Sequence, residues 1–326
     1  MQRRSLLAGL TAGLPGLVFR VGTVRAQPGT WPDRPLRLIV PFPPGGAIDA
    51  MTRLLAPRLS DALGQPAVVE NRAGAGGTIG TAAAAQSTDG HTLLMVSIAH
   101  AVNPALYPKL PYDSSADFLP VAPVAVVPNL LVVPAARPWR SVADLIEAAR
   151  RQPGTLTYGS AGSGTSIHLA GALFCALAGI EMTHVPYRGS GPAVADLVSG
   201  RLDAMFDSVT SSAPHIASGQ LRALAVTTGH RSTAYPDLPT VAEAGLPDYV
   251  VDPWFAMLAP RSLPAAARER VGQIVGQVMR DALIRERFAS IGAEPMTGDA
   301  ASLGQLIAGE TVKWGDLIRR LGILPD

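Results

Sequence analysis

Four glycine-rich segments each lie between a short apolar run typical of a buried strand and a pattern typical of a helix. They are Pro43–Asp49, Arg72–Gly80, Gly159–Ser166 and Pro186–Pro192. Glycine lets a ligand approach the backbone closely, and the unpaired N–H groups at a helix start favour an anion. In open α/β sheets these loops lie beyond the carboxyl ends of the strands, where ligands bind. One such loop indicates only a tight turn, whereas four predict a site for a polar small molecule.

Strand and helix patterns alternate along nearly the whole chain. Leu36–Val40 is typical of a buried strand, and an apolar stripe at helical spacing then runs from Met51 to Leu63. This alternation predicts an α/β fold in which helices cover both faces of parallel sheets. Since no flexible linker divides the chain, we expect two lobes joined by strands, with a crossover near residues 126–133 and a return near residues 224–228.

Residues 1–26 have the pattern of a secretory signal peptide. Arg3-Arg4 precedes an uncharged run from Leu6 to Phe19, and Val24-Arg25-Ala26 has the small residues of a cleavage site. The uncharged run contains Pro15 and is shorter than the roughly 20 residues that span a bilayer. Sec and twin-arginine export both stay open. We expect a periplasmic mature chain.

The charge composition argues against a nucleic acid partner. The full chain has 27 Lys and Arg residues, 25 Asp and Glu residues and a net charge of +2. Removing residues 1–26 would take away four arginines and no acid, which leaves 23 basic and 25 acidic side chains and a net charge of −2. There is no basic run. The sole cysteine, Cys175, lies in an apolar stretch and predicts an inert buried thiol.

No catalytic motif is complete. The sequence has neither a G-x-S-x-G nucleophile turn nor a G-x-x-x-x-G-K-[ST] phosphate loop, and Gly74–Gly80 matches a dinucleotide fingerprint only loosely. The six histidines lack metal-type spacing. We therefore expect no cofactor, no metal and no enzymatic activity. His168, in the first turn of a predicted helix, is interpreted as a ligand-contacting imidazole rather than a catalytic base.

Two acids stand out at the predicted sheet edges. Asp49 is most simply the N-cap of the first helix, although it could also hold a water or a ligand ammonium group. Asp207 ends the strand-like run Leu202–Asp207 and is expected to face the cleft. Two isolated acids do not make the carboxylate pair of a glycosidase.

Several motifs in a fixed order resemble the substrate-binding proteins of tripartite tricarboxylate transporters, also called the Bug family. The resemblance runs from about residue 31 to residue 326. The motifs are Trp31–Pro35, Val40–Gly46, Val69–Gly77, Asn103–Tyr107, His184–Gly189 and Pro239–Gly245.

The resemblance implies a two-lobed clamshell fold of the periplasmic-binding type II kind, with two crossover strands. After the signal peptide at residues 1–26, we expect lobe I at residues 27–128 and 229–326, and lobe II at residues 129–228. It also implies that the protein passes its ligand to the permease subunits of a membrane transporter.

In this family, main-chain groups and ordered water in the first lobe hold a ligand carboxylate, and the second lobe closes over it. Carried over by motif, the first-lobe contacts are Phe42, Gly45, Gly46, Ala47, Asp49 and Thr78. The second-lobe contacts are Ser160, Ser163, Thr165, His168, Tyr187 and Asp207. One departure is Ile48, which stands where the family commonly has a small polar residue, so a hydroxyl donor beside Asp49 is missing.

Other interpretations stay open. The protein is expected to be a monomer. A receptor that signals through a membrane sensor fits the same features, and a hydrolase or transferase would need a nucleophile and base that the sequence does not show. The ligand could be a dicarboxylate, a tricarboxylate, an aromatic acid or an amino acid. Arg188 either pairs with a second carboxylate or is solvated by water.

Overall fold

A computed structural model describes residues 31–324. The predicted signal peptide lies outside the described residues. In the part of the chain that is described, no helix is both long and apolar enough to cross a membrane.

The described chain forms two β-sheets flanked by helices. The strands are β1 (Leu36–Val40), β2 (Ala67–Asn71), β3 (Thr92–Ser97), β4 (Phe118–Val126), β5 (Asn129–Pro134), β6 (Thr157–Ser160), β7 (Thr183–Pro186), β8 (Ala204–Ser208), β9 (Leu221–Val226), β10 (Trp254–Pro260) and β11 (Glu294–Pro295). The helices are α1 (Ala47–Leu63), α2 (Thr78–Ala85), α3 (Ala99–Leu106), α4 (Val142–Arg151), α5 (Ser166–Ala178), α6 (Ser190–Val198), α7 (Val209–Ala217), α8 (Ala265–Val278), α9 (Ala282–Ser290) and α10 (Ala300–Leu321).

Apart from the short edge strand β11, the two sheets have the same arrangement of parallel and antiparallel strands. The larger sheet has the order β11-β4-β10-β3-β1-β2, and the smaller has the order β7-β6-β8-β5-β9. In the larger sheet β10 runs antiparallel between β3 and β4. In the smaller sheet β5 runs antiparallel between β8 and β9. β1 pairs in parallel with β2 and β3, and β6 pairs in parallel with β7 and β8.

The antiparallel strand of each sheet is the one that arrives from the other sheet. The chain crosses from β4 to β5 through residues 127–128 and returns from β9 to β10 through residues 227–253. The two crossings are bonded together: Val127 N–H donates to the Pro253 carbonyl (3.0 Å), and Thr227 N–H donates to the Asn129 carbonyl (2.9 Å). The predicted two-lobed fold with two crossover strands is confirmed. The lobe boundaries given above stay a prediction.

The residues of β1 are apolar except for Arg37. Leu36, Leu38 and Val40 pack into the core that includes residues of α1 and α8, whereas Ile39 packs into the core on the opposite face. A strand covered on both faces carries apolar side chains on both of them. Arg37, near the start of β1, is partly exposed and pairs with Glu70 (2.9 Å). The carboxyl end of β1 is thereby fixed, and with it the loop that starts α1.

Candidate functional site

A cavity of about 120 Å³ lies between the two sheets, and we call it the inner chamber. Its walls come from loops at the carboxyl ends of β1, β6, β7 and β8, and from the crossover region at Asn129 and Phe255. This is the edge where open α/β sheets bind ligands. None of the residues that line the chamber is charged.

Four helix starts line the inner chamber. They are Gly46-Ala47 of α1, Thr165-Ser166 of α5, Gly189-Ser190 of α6 and Ser208 before α7. Each helix start has unpaired N–H groups and the positive end of a helix dipole. With four such ends and no charged side chain, the chamber has the electrostatics of an anion site.

The four helix starts differ in one respect that matters for a ligand. In α5 and α7 a side-chain cap already accepts a bond: Thr165 Oγ1 from His168 N–H (3.3 Å) and Ser208 Oγ from Thr210 N–H (3.2 Å). The N-caps of α1 and α6 are Gly46 and Gly189, and neither helix has a side-chain cap. The first-turn N–H groups of α1 and α6 are therefore the ones that a bound anion can satisfy.

Asp49 forms hydrogen bonds that hold the loop between β1 and α1 in place. Its carboxylate accepts bonds from Gly45 N–H (3.1 Å), Arg53 Nε (3.0 Å) and Asn71 Nδ2 (2.9 Å). Burial alone would raise the pKa of Asp49, but these three donors outweigh it and hold the pKa below its usual value. The predicted N-cap at Asp49 is wrong, because Gly46 caps α1 and Asp49 is the third helical residue, folded back onto Gly45.

A second space of about 770 Å³, the outer chamber, adjoins the first and shares Phe42, Pro43 and Ala161 with it. Its other walls are the loop at residues 73–77, Ser163, and residues 186–188. Arg188 is the charged residue of this wall. It is exposed and forms no ion pair or side-chain hydrogen bond within residues 31–324.

Ser160, His168 and His184 form a layer below the third glycine-rich loop. The His168 and His184 rings stack 3.9 Å apart, and Ser160 Oγ lies 2.7 Å from His184 Nε2. Gly164 N–H donates to His168 Nδ1 (3.2 Å), so the imidazole shapes the loop. Burial lowers the pKa of His168 to about 4. Ser160 is fully buried and lines neither chamber, so this serine–histidine pair offers no route to a substrate.

Half of the predicted site residues line one of the two chambers, and the other half line neither. Phe42, Gly46, Ala47 and Thr165 line the inner chamber, and Phe42, Ser163 and Tyr187 line the outer one. The remaining six line neither chamber: Gly45, Asp49, Thr78, Ser160, His168 and Asp207. The predicted residues thus come together at one cleft, in two layers.

Several residues that line the inner chamber were not predicted from the sequence. They include Ser97, Asn129, Ser166, Ser190, Ser208 and Phe255. Ser190 had a usable signal, because it lies inside the fourth glycine-rich segment at a helix start. Asn129 and Phe255 gave none, since their place depends on the pairing of strands far apart in sequence. In the described part of the chain, no cluster of three or more His, Cys, Asp or Glu side chains is placed to hold a metal.

Comparison with known proteins agrees with this geometry. A family model described as the tripartite tricarboxylate transporter family receptor matches residues 51–323. The chain belongs to this family. Its relative BugT of Bordetella pertussis is 40% identical over 296 residues, which cover 90% of this chain and 91% of BugT. The resemblance to the Bug family is confirmed.

Solved structures of similar proteins have the same fold. Rpa4515 of R. palustris, described with adipate, is 38% identical with a TM-score of 0.87, and the match covers 91% of this chain and 100% of that one. MatC of Rhodopseudomonas palustris, described with bound malate, is 31% identical with a TM-score of 0.83, over 88% of this chain and 100% of that one. The family model describes a transporter receptor, and both structures are described with a small carboxylate.

Proposed function

We propose that this protein is a periplasmic receptor that captures a small carboxylate between its two lobes for the permease subunits of a tripartite tricarboxylate-type transporter. The observation that carries the proposal is the pair of uncapped helix starts, Gly46 of α1 and Gly189 of α6, on the wall of an uncharged chamber. Family membership and the adipate and malate of two similar proteins support it.

Capture needs no bond-making chemistry. A carboxylate accepts hydrogen bonds from the N–H groups at the start of α1 and neutralises the partial positive charge there. The same anion then meets α6, whose start belongs to the other sheet, so a single ligand bridges both lobes. Closure is favoured only to the extent that the ligand contacts both lobes.

Thermal unfolding of the mature protein tests this proposal. The protein is stripped of ligand by unfolding and refolding, then heated with adipate, malate, aromatic acids and amino acids in turn. A ligand at about 100 times its Kd adds roughly 2.7 kcal/mol to the free energy of unfolding. We expect this to raise the Tm by several degrees for at least one carboxylate. If well-folded protein responds to no carboxylate, the proposal fails.

The outer chamber supports a ligand with a second acidic group. A molecule anchored in the inner chamber can extend past Phe42 and Ala161 toward the unpaired guanidinium of Arg188. Arg188→Ala should weaken adipate binding by about three- to tenfold, because an exposed ion pair contributes about 1 kcal/mol. Binding of hexanoate, which lacks the second carboxylate, should not change.

Isothermal titration calorimetry of both ligands with both variants measures this difference. Arg140→Ala is the matched control, since Arg140 is also exposed but lines neither chamber. If Arg188→Ala weakened the binding of adipate and hexanoate equally, Arg188 would stabilise the fold of the loop rather than bind the distal carboxylate.

A further inference from the structure

Asp207 is a buried acid with no cation beside it. Its side chain is fully buried, and it forms no ion pair in the described chain. Ser211 Oγ donates to Oδ2 (2.5 Å), and the Ser190 side chain lies near the carboxyl group. Oδ1 has no hydrogen-bond partner among the described residues. A buried carboxylate without a cation pays a desolvation cost that favours its protonated form.

This acid lies directly behind the wall of the inner chamber. Both Ser190, whose side chain lies near it, and Ser208, the next residue of β8, line the chamber. In β8 the side chains alternate: Phe206 packs against Phe174 of α5, so Asp207 points to the other face of the sheet, toward α6. A ligand carboxylate at the start of α6 is thus separated from Asp207 by one layer of serine.

The elements around Asp207 supply little countercharge. Its partner in β5 is Leu130, and β5 contains no titratable residue. On α7, His215 is the one group whose positive charge acts to lower the pKa of Asp207. Burial is the larger effect and raises the pKa of Asp207 to about 6, although the hydrogen bond from Ser211 acts to lower it.

The other titratable side chains nearby have partners of their own. On α6, Asp196 accepts a bond from Tyr187 and pairs with Arg201. On β6, the Tyr158 ring stacks on His184. On α5, His168 bonds to Gly164 N–H, and burial raises the pKa of Cys175 to about 12. Asp207 is therefore the fully buried acid of this region that has no ion-pair partner among the described residues.

We infer that the cleft binds its anionic ligand together with a proton, which Asp207 takes up. The inference rests on the proposed function, because it needs an anion in the inner chamber. Two negative charges on either side of one serine layer repel each other, and burial of Asp207 lowers the local dielectric and strengthens this repulsion. A bound carboxylate makes the ionised form of Asp207 less favourable still, so binding and protonation favour each other.

Calorimetry with adipate at pH 7, in two buffers of different ionisation enthalpy, counts the protons taken up. We expect a net uptake between zero and one per ligand in the wild-type protein. Each unit by which the ligand raises the pKa of Asp207 gives a tenfold change in affinity between the two limits of pH. Adipate should therefore bind about three- to tenfold more tightly at pH 6.5 than at pH 8.5.

Asp207→Asn should abolish both the proton uptake and the pH dependence, and should bind adipate more tightly than wild type at pH 8.5. The variant is expected to fold. The pKa of Asp207 is higher in the folded than in the unfolded state, so its contribution to stability is complete below the unfolded value and is lost as pH rises through about 6. At pH 8 the variant should thus have the higher Tm.

Asp203→Asn is the matched control, because Asp203 is also buried and precedes the same strand but pairs with Arg137. It should retain the proton uptake. Adipate binding without proton uptake by the wild type, or uptake that persists in Asp207→Asn, would overturn this inference and leave the proposed function standing. Absence of binding by every carboxylate tested would overturn both.

Discussion

Replacing Gly46 with valine should abolish carboxylate binding and leave the fold intact. Gly46 has φ −84° and ψ 169°, which is extended backbone that a β-branched residue adopts readily. A Cβ atom added at Gly46 meets no atom within 4 Å, and Gly46 lines the inner chamber. The valine side chain therefore displaces ligand rather than protein. Losing the approach to the α1 N–H groups removes charge-assisted hydrogen bonds, so we expect adipate affinity to fall by about 100-fold or more.

Titration calorimetry and the ligand-induced change in Tm both measure this loss. Gly309→Val in α10 is the control, because an added Cβ at Gly309 also meets nothing within 4 Å and Gly309 lines neither chamber. It should bind normally. Gly46→Ala should give an intermediate affinity. Full binding by Gly46→Val at an unchanged Tm would exclude the start of α1 from the site.

The fold was predictable from the sequence because its signals are local. Apolar runs, helical stripes and the glycines between them identify βα units such as Leu36–Leu63 without any knowledge of distant contacts. The antiparallel strands β5 and β10 gave no such signal. They pair with strands far away in sequence, and the apolar stretch across Val127-Pro128 does not show which sheet each half joins.

The candidate site was predictable at the level of loops and not of side chains. Asp207 and Ser208 are adjacent in β8, and alternation along a strand sends only one of them to the chamber wall. Asp49 likewise turns back to Gly45 and Arg53 instead of facing the cleft. A one-residue difference in direction decides whether a polar group touches a ligand or supports the loop that does.

The second large effect is expected at a glycine contact between loops of the two sheets. Gly76, in the loop after β2, approaches the loop after β6 so closely that an added Cβ would lie 2.5 Å from the Ser163 carbonyl oxygen. That oxygen is backbone and cannot rotate away. Gly76→Ala should therefore hold the lobes apart and weaken adipate binding by about tenfold or more, since a ligand that touches one lobe loses the contacts of the other.

Backbone strain must be separated from this contact, and the chain offers a close match. Gly76 has φ +59° and Gly179 has φ +60°, but an added Cβ at Gly179, the C-cap of α5, meets nothing within 4 Å. Both alanine variants should lose about 1 kcal/mol in the free energy of unfolding. Only Gly76→Ala should lose affinity for adipate. With saturating adipate, only this variant should have a larger radius of gyration than the wild-type protein in small-angle X-ray scattering. If Gly179→Ala binds as poorly as Gly76→Ala, strain explains the loss and the interlobe contact does not control closure.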